Sequence, residues 1–201
     1  MPDISLPKDV RDAVLTELYR QIGELPWMMM PGRQKTRWYS EWIEDPSIGG
    51  ELADYQTAEG MRVWLKDGPL KEYARAIEGV GPYARYTTRR LTPPSGFLRA
   101  LLGQQWRVVP ESIGEKPMHC LISNEITQRY VCWGGQRTYR DLLWAAINEA
   151  VRLRAVPLIV VYTFEGEQVQ KSQQKQQEQL AEHCGVELMY VERRWKQHDP
   201  A

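Results

Sequence analysis

Three cations within five residues, Arg33, Lys35 and Arg37 of Arg33-Gln34-Lys35-Thr36-Arg37, stand directly before Trp38, Tyr39 and Trp42. Basic groups attract phosphate and flat rings let bases stack, so this combination suits contact with nucleic acid. A solvated helix start whose rings turn inward would read the same way. A second basic stretch runs over residues 79–110, where Arg85, Arg89, Arg90, Arg99 and Arg107 occur without one Asp or Glu, and Tyr83, Tyr86 and Trp106 are interleaved. Arginines with no local acids are the footprint a polyphosphate surface needs, and a loop paired with acids elsewhere in the fold is the alternative. The residues expected to touch phosphate are Arg33, Lys35, Arg37, Arg85, Arg89, Arg90 and Arg99.

A different chemistry is open to Cys132-Trp133-Gly134-Gly135-Gln136-Arg137-Thr138. Gly134 and Gly135 would let backbone amides approach an anion, Arg137 adds charge, and Thr138 starts a helix whose dipole favours negative ligands. The pattern is neither a Walker loop nor a G-x-G-x-x-G fingerprint, and a tight strand-to-helix turn needs the same glycines. His119-Cys120, Cys132 and His183-Cys184 lack the C-x-x-C spacing of a structural zinc site, and buried thiols explain them as well. No G-x-S-x-G or H-E-x-x-H motif occurs. No metal or cofactor is expected, and whether the chain catalyses a reaction stays open.

These groups need a scaffold, and apolar periodicity supplies one. Val10, Val14, Leu18 and Ile22 recur every four positions and predict a helix over residues 7–25. Alternation at Met61, Val63 and Leu65 predicts a strand over 61–66, and Leu70, Tyr73, Ala74 and Ile77 a helix stopped by Gly79. Asp45-Pro46-Ser47-Ile48-Gly49-Gly50 is a turn by composition. Ser95 is expected to cap a short helix bearing Phe97, Leu98, Leu101 and Leu102.

Strand-like runs follow at 105–109, 118–122 and 127–133, the last two joined by a hairpin turn at Ser123-Asn124-Glu125. Thr138 with Asp141 resembles a capping box, and Tyr139, Leu142, Leu143, Ala146, Ile147, Ala150 and Val151 give a helical stripe. The unbroken apolar run at 155–162 belongs to a central strand covered on both faces. A Gln-rich helix over 167–183 and a strand over 186–191 complete the chain. The strands at 129, 156 and 186 should be parallel neighbours, with Thr163, Glu165 and Gly166 beside the Gly-Gly turn at their carboxyl edge.

The fold expected is therefore α/β, a mixed sheet with a C-terminal parallel β-α-β-α-β half and a helical, aromatic-rich N-terminal region. The boundary is set between 1–94 and 95–201.

From Ser95 onward the order is helix, three strands, helix, strand. In that order alone the chain resembles the core of many restriction-type nucleases. The resemblance implies a metal held by a carboxylate on the second strand and a D/E-x-K pair on the third. Here those strands offer His119-Cys120 and Gln128-Arg129-Tyr130, and no D/E-x-K triplet occurs anywhere. A cleaving enzyme of that kind is disfavoured, whereas a non-cleaving DNA-binding relative fits.

Composition narrows the partners. Lys plus Arg (26) equals Asp plus Glu (26), which excludes a histone-like polycation. Three cysteines do not form a disulfide framework, and the opening residues carry neither the basic nor the apolar run of a signal peptide. With no apolar run long enough to span a bilayer, an intracellular, cytoplasmic protein is expected. Eight Trp and ten Tyr against two Phe are rings with polar handles, which suit a contact surface when half-exposed, but amphipathic core and rim positions are the reading that composition favours for most of them. The function expected is a non-catalytic nucleic-acid-binding protein. The alternatives are a nucleotide or small-anion site at the Gly134 turn and a protein-interaction subunit of a larger complex.

Overall fold

Val14, Leu15, Leu18, Tyr19 and Ile22 recur at the spacing that puts one helical face against a core, and all five are buried in α1 (Lys8–Gly23) of the computed structural model. The structure describes residues 6–153, 156–164, 166, 167 and 169–197. Ala155, at the start of the apolar run, and Glu165, beside the second turn, lie outside the described residues. Two compact units divide the chain, Met1–Leu91 with Trp195–Ala201, and Thr92–Arg194.

The first unit continues through α2 (Gly32–Glu44), a π-helical turn (Pro46–Gly50), α3 (Ala58–Asp67), α4 (Pro69–Ala76) and β1 (Arg89–Leu91), which pairs antiparallel with the chain's last strand. Its centre is aromatic. Tyr19 lies 5.7 Å from Tyr73, 6.2 Å from Tyr83 and 6.1 Å from Tyr86, and its hydroxyl donates to the Pro69 carbonyl at 2.8 Å. Burial raises the Tyr19 phenol and pushes Tyr73 up to about 12.

Two expectations fail here. Residues 61–66 are helical, not a strand, because Thr57 caps the segment by accepting from the Gly60 amide at 3.2 Å. Met61 and Leu65 are the buried pair in α3, and their separation of four fits a helix as well as a strand. The segment expected as a plain turn is π-helical, with the Gly50 amide donating to the Asp45 carbonyl at 3.0 Å and the Asp45 carboxylate accepting from Ser47 at 2.7 Å.

The second unit runs α5 (Pro94–Leu102), β2 (Arg107–Val108), β3 (Gly114–Glu115), β4 (Met118–Ser123), β5 (Gln128–Gly135), a 3-10 turn (Gln136–Thr138), α6 (Tyr139–Leu153), β6 (Val156–Phe164), α7 (Lys171–His183) and β7 (Glu187–Arg193). The chain's last strand, β8 (Trp195–Gln197), belongs to the first unit. The sheet order is β2-β4-β5-β6-β7, with β3 paired to β4. Its first strands are antiparallel, whereas β5, β6 and β7 are parallel and joined through α6 and α7. The mixed α/β sheet with a parallel half is therefore present.

On one face of the sheet Tyr130, Cys132, Leu142, Ala146, Ile159 and Val161 form a core under α6. The alternation of β5 sends Trp133 to the other face, where Phe97 of α5 meets it edge-on at 5.5 Å. Burial pushes the Cys120 and Cys132 thiols up to about 12, so both behave as inert apolar groups.

Local signals were partly misleading. Ser95 lies inside α5, and Pro93 occupies the cap position because Pro94, lacking an amide hydrogen, suits the first helical residue. Val151, the last member of the expected α6 stripe, is 78% exposed, since it falls seven residues after the exposed Trp144 on the outer face. The hairpin at 123–125 forms as expected. The Asn124 side-chain oxygen accepts from the Ile126 and Thr127 amides, while Glu125 takes φ 74°.

Candidate nucleic-acid interface

Helix α2 begins after Pro31, which offers no side-chain cap, and no acid occupies its first turn. Arg33 and Lys35 stand in that turn instead, and Arg37 follows in the second. Cations there oppose the helix dipole, each by about 0.3–1 kcal/mol, so the sequence places positive charge where the fold disfavours it. Arg33 is exposed, and its guanidinium has no ion-pair partner among the described residues. Lys35 lies over the Trp27 ring at 4.7 Å, and Arg37 reaches Glu41 at 2.7 Å. That last pair is solvent-exposed and holds Arg37 only weakly.

Rings back these cations. Trp27 stands 5.9 Å from Tyr39 and 5.4 Å from Trp42, and Trp38 is 5.7 Å from Trp42. Trp42 is buried, and its indole N–H donates to Gln21 at 2.8 Å. The Gln21 amide in turn donates to Glu17 and Asp45. Trp38 and Tyr39 remain half-buried, with Arg62 of α3 over the Tyr39 ring at 5.9 Å. Sequence reasoning left Arg62 out of this group because the strand expected there hid its place one helix away from α2.

The other arginines expected in the first unit are bonded within it, Arg85 at its surface and Arg89 and Arg90 half-buried. Arg85 pairs with Asp12 at 2.8 Å and lies over Tyr86, whose hydroxyl donates to the same carboxylate oxygen at 2.5 Å. Arg89 donates to the Gly23 carbonyl at 3.1 Å and lies over the Trp195 ring at 4.9 Å. Arg90 donates to the Ala84 carbonyl at 2.8 Å and to Thr87, and burial draws its pKa down.

The Tyr86 hydrogen bond holds the Asp12 carboxyl below the ordinary value of 3.8, with Arg85 acting in the same direction. A depressed folded-state pKa contributes stability that is present above the unfolded value and lost as pH falls through the folded one. The stability difference between wild type and Asp12→Asn is expected to be constant from neutral pH down to about 4 and to shrink below it. Urea titrations across that range check it, and a gap that widens on acidification refutes the assignment.

In the second unit Arg99 is exposed on α5. The Gly134 turn is close-packed. A Cβ on Gly134 would meet the Thr138 hydroxyl at 2.4 Å, and that hydroxyl donates to the Gly135 carbonyl at 2.8 Å. Gly134 is thus accounted for by packing, while a Cβ on Gly135 would meet open space. Arg137 is exposed beside them, and the buried side-chain nitrogen of Gln136 has no hydrogen-bond partner among the described residues. His119 faces Tyr130 at 5.3 Å with Nδ1 against the Pro117 carbonyl, and Cys184 is exposed. Among the described residues no three His, Cys, Asp or Glu side chains gather as metal ligands.

No protein-family model, curated protein or solved structure matches this chain. The geometry has to speak for itself, and α2 is where cations, rings and a helix N-terminus coincide. No helix among the described residues is long and apolar enough to cross a membrane.

Proposed function

We propose that the chain is an intracellular, non-catalytic nucleic-acid-binding protein whose phosphate contacts are made by Arg33, Lys35 and Arg37 at the start of α2. One observation carries this: two cations, Arg33 and Lys35, and no acid occupy the first turn of a helix whose dipole disfavours them, with Arg37 in the next turn and the half-buried rings of Trp38 and Tyr39 beside it. A bound phosphate reverses the sign of that penalty, because helix N-termini and basic side chains then act on the same anion. Trp38 and Tyr39 supply ring surface beside the phosphate track. Arg85, Arg89 and Arg90 shape the unit rather than touch the ligand, and Arg99, which belongs to the second unit, is not among the contacts.

The second unit supports the same reading by its order of elements. The resemblance in element order to restriction-type nuclease cores is carried into this proposal, with a fourth strand, β3, standing before α6. The positions where those enzymes carry carboxylates hold His119-Cys120 and Gln128-Arg129-Tyr130. The function is binding without cleavage.

Fluorescence anisotropy with a labelled single strand and its duplex, over a salt series, tests this. Three phosphate contacts give a log–log salt slope of about −2 for the single strand and about −3 for the duplex. Absence of binding to either at low salt removes the proposal.

A further inference from the structure

Trp144 of α6 is 69% exposed, and Val151, two turns further on, is 78% exposed. Seven residues bring an α-helix back to within about 20° of the same direction, so the two side chains share one stripe. The opposite side of the helix carries Leu142 and Ala146 into the core. Helix α6 thus covers the sheet with one face and turns a second apolar stripe to solvent, with a Trp, the residue type most enriched in contact hot spots, at its head.

The charges beside the stripe define what fits it. Asp141 and Arg152 are both exposed and stand eleven residues apart, close to three full turns, so they lie on the same flank, one near each end of α6. Antiparallel pairing of this face with itself about a two-fold axis keeps each flank on its own side and reverses its direction. Asp141 of each copy then stands opposite Arg152 of the other, and each Trp144 lies over the turn from Asn148 to Val151. The pairing needs no unused charge. Arg152 donates to Glu149 through Nε and one Nη at 2.9 and 2.6 Å, and a guanidinium carries five N–H donors. Asp141 has the Arg140 nitrogen at 3.6 Å, beyond ordinary hydrogen-bond reach. Arg140 and Arg152 balance Asp141 and Glu149, so two copies of the face meet without net repulsion.

We propose that the outer face of α6 binds the same face of a second copy of this chain, as an antiparallel helix pair centred level with Ala146 and Ile147. A contact confined to one helix per copy falls short of the roughly 1,000 Å² that marks a stable interface, so the dimer is weak, with a dissociation constant on the order of 100 µM. The contact is separate from α2 and does not depend on nucleic-acid binding.

Sedimentation velocity of the full chain without nucleic acid, from about 5 to 500 µM, tests this. The wild-type sedimentation coefficient is expected to rise with concentration toward that of a dimer. Asp141→Arg sets Arg against Arg at both ends of the contact and Arg152→Asp sets Asp against Asp, so each variant alone should associate at least about tenfold more weakly. Mixed in equal amounts, the two variants face each other with Arg against Asp at both ends, and association should return close to the wild-type value. Trp144→Ser should abolish it. All three positions are exposed, and circular dichroism melts check that each variant is folded. A wild type that stays monomeric to about 500 µM, variants that associate like wild type, or a mixture no stronger than its components each overturns the proposal.

Discussion

Gly49→Ala is expected to unfold the first unit or lower its melting temperature by roughly 10 °C or more, whereas Gly50→Ala next to it should melt close to wild type. A Cβ on Gly49 would lie 1.8 Å from the Ile43 carbonyl oxygen and 2.5 Å from the carbonyl carbon, both backbone atoms that cannot rotate aside. The same atom on Gly50 meets nothing closer than 3.8 Å. Overpacking typically costs about 1–3 kcal/mol, and a clash with fixed backbone sits at or above the top of that range. The π-helical turn creates the close approach by carrying the chain from Asp45 back against the end of α2. Circular dichroism melts of the two variants decide it, and equal melting temperatures would show that the turn opens freely.

Charge reversal in α2 is the second large effect. Arg33→Glu with Lys35→Glu is expected to weaken nucleic-acid binding about a hundredfold at low salt, since two phosphate contacts are replaced by repulsion. Arg33→Glu alone should be more stable than wild type, by about 0.3–1 kcal/mol, because an acid complements the N-terminal end of the helix dipole, whereas Lys35 also lies over the Trp27 ring. These opposite signs separate a binding role from a structural one. Residues kept only for folding would give lower stability and unchanged binding. Parallel anisotropy titrations and urea melts of both variants supply the numbers.

The parallel half was legible because its signals are local and mutually consistent. The apolar run of β6, the stripe of Leu142 and Ala146, and the Gly185 stop after α7, with φ 65°, each answer to a single period or turn rule. The first unit was harder. Over residues 61–66 two periods coincide at Met61 and Leu65, and the deciding signal, the Thr57 cap, stands four residues before Met61.

The acid-free window at 79–110 was the least readable stretch. Arg85 finds Asp12 across 73 residues of sequence, and Arg89 finds Trp195 at the far end of the chain. Nothing in a linear charge count reports such partners, and the window itself divides between the two units after Leu91. The α2 cluster was visible from the start because its cations and rings are neighbours in sequence as well as in space.

The salt dependence of binding after alanine replaces Arg33, Lys35 and Arg37 together is the most direct measurement on α2. The wild-type duplex slope should be about −3 and should fall close to zero in the triple variant, with the fold intact by circular dichroism. An unchanged slope in the triple variant would place the phosphate contacts elsewhere and contradict the assignment to α2.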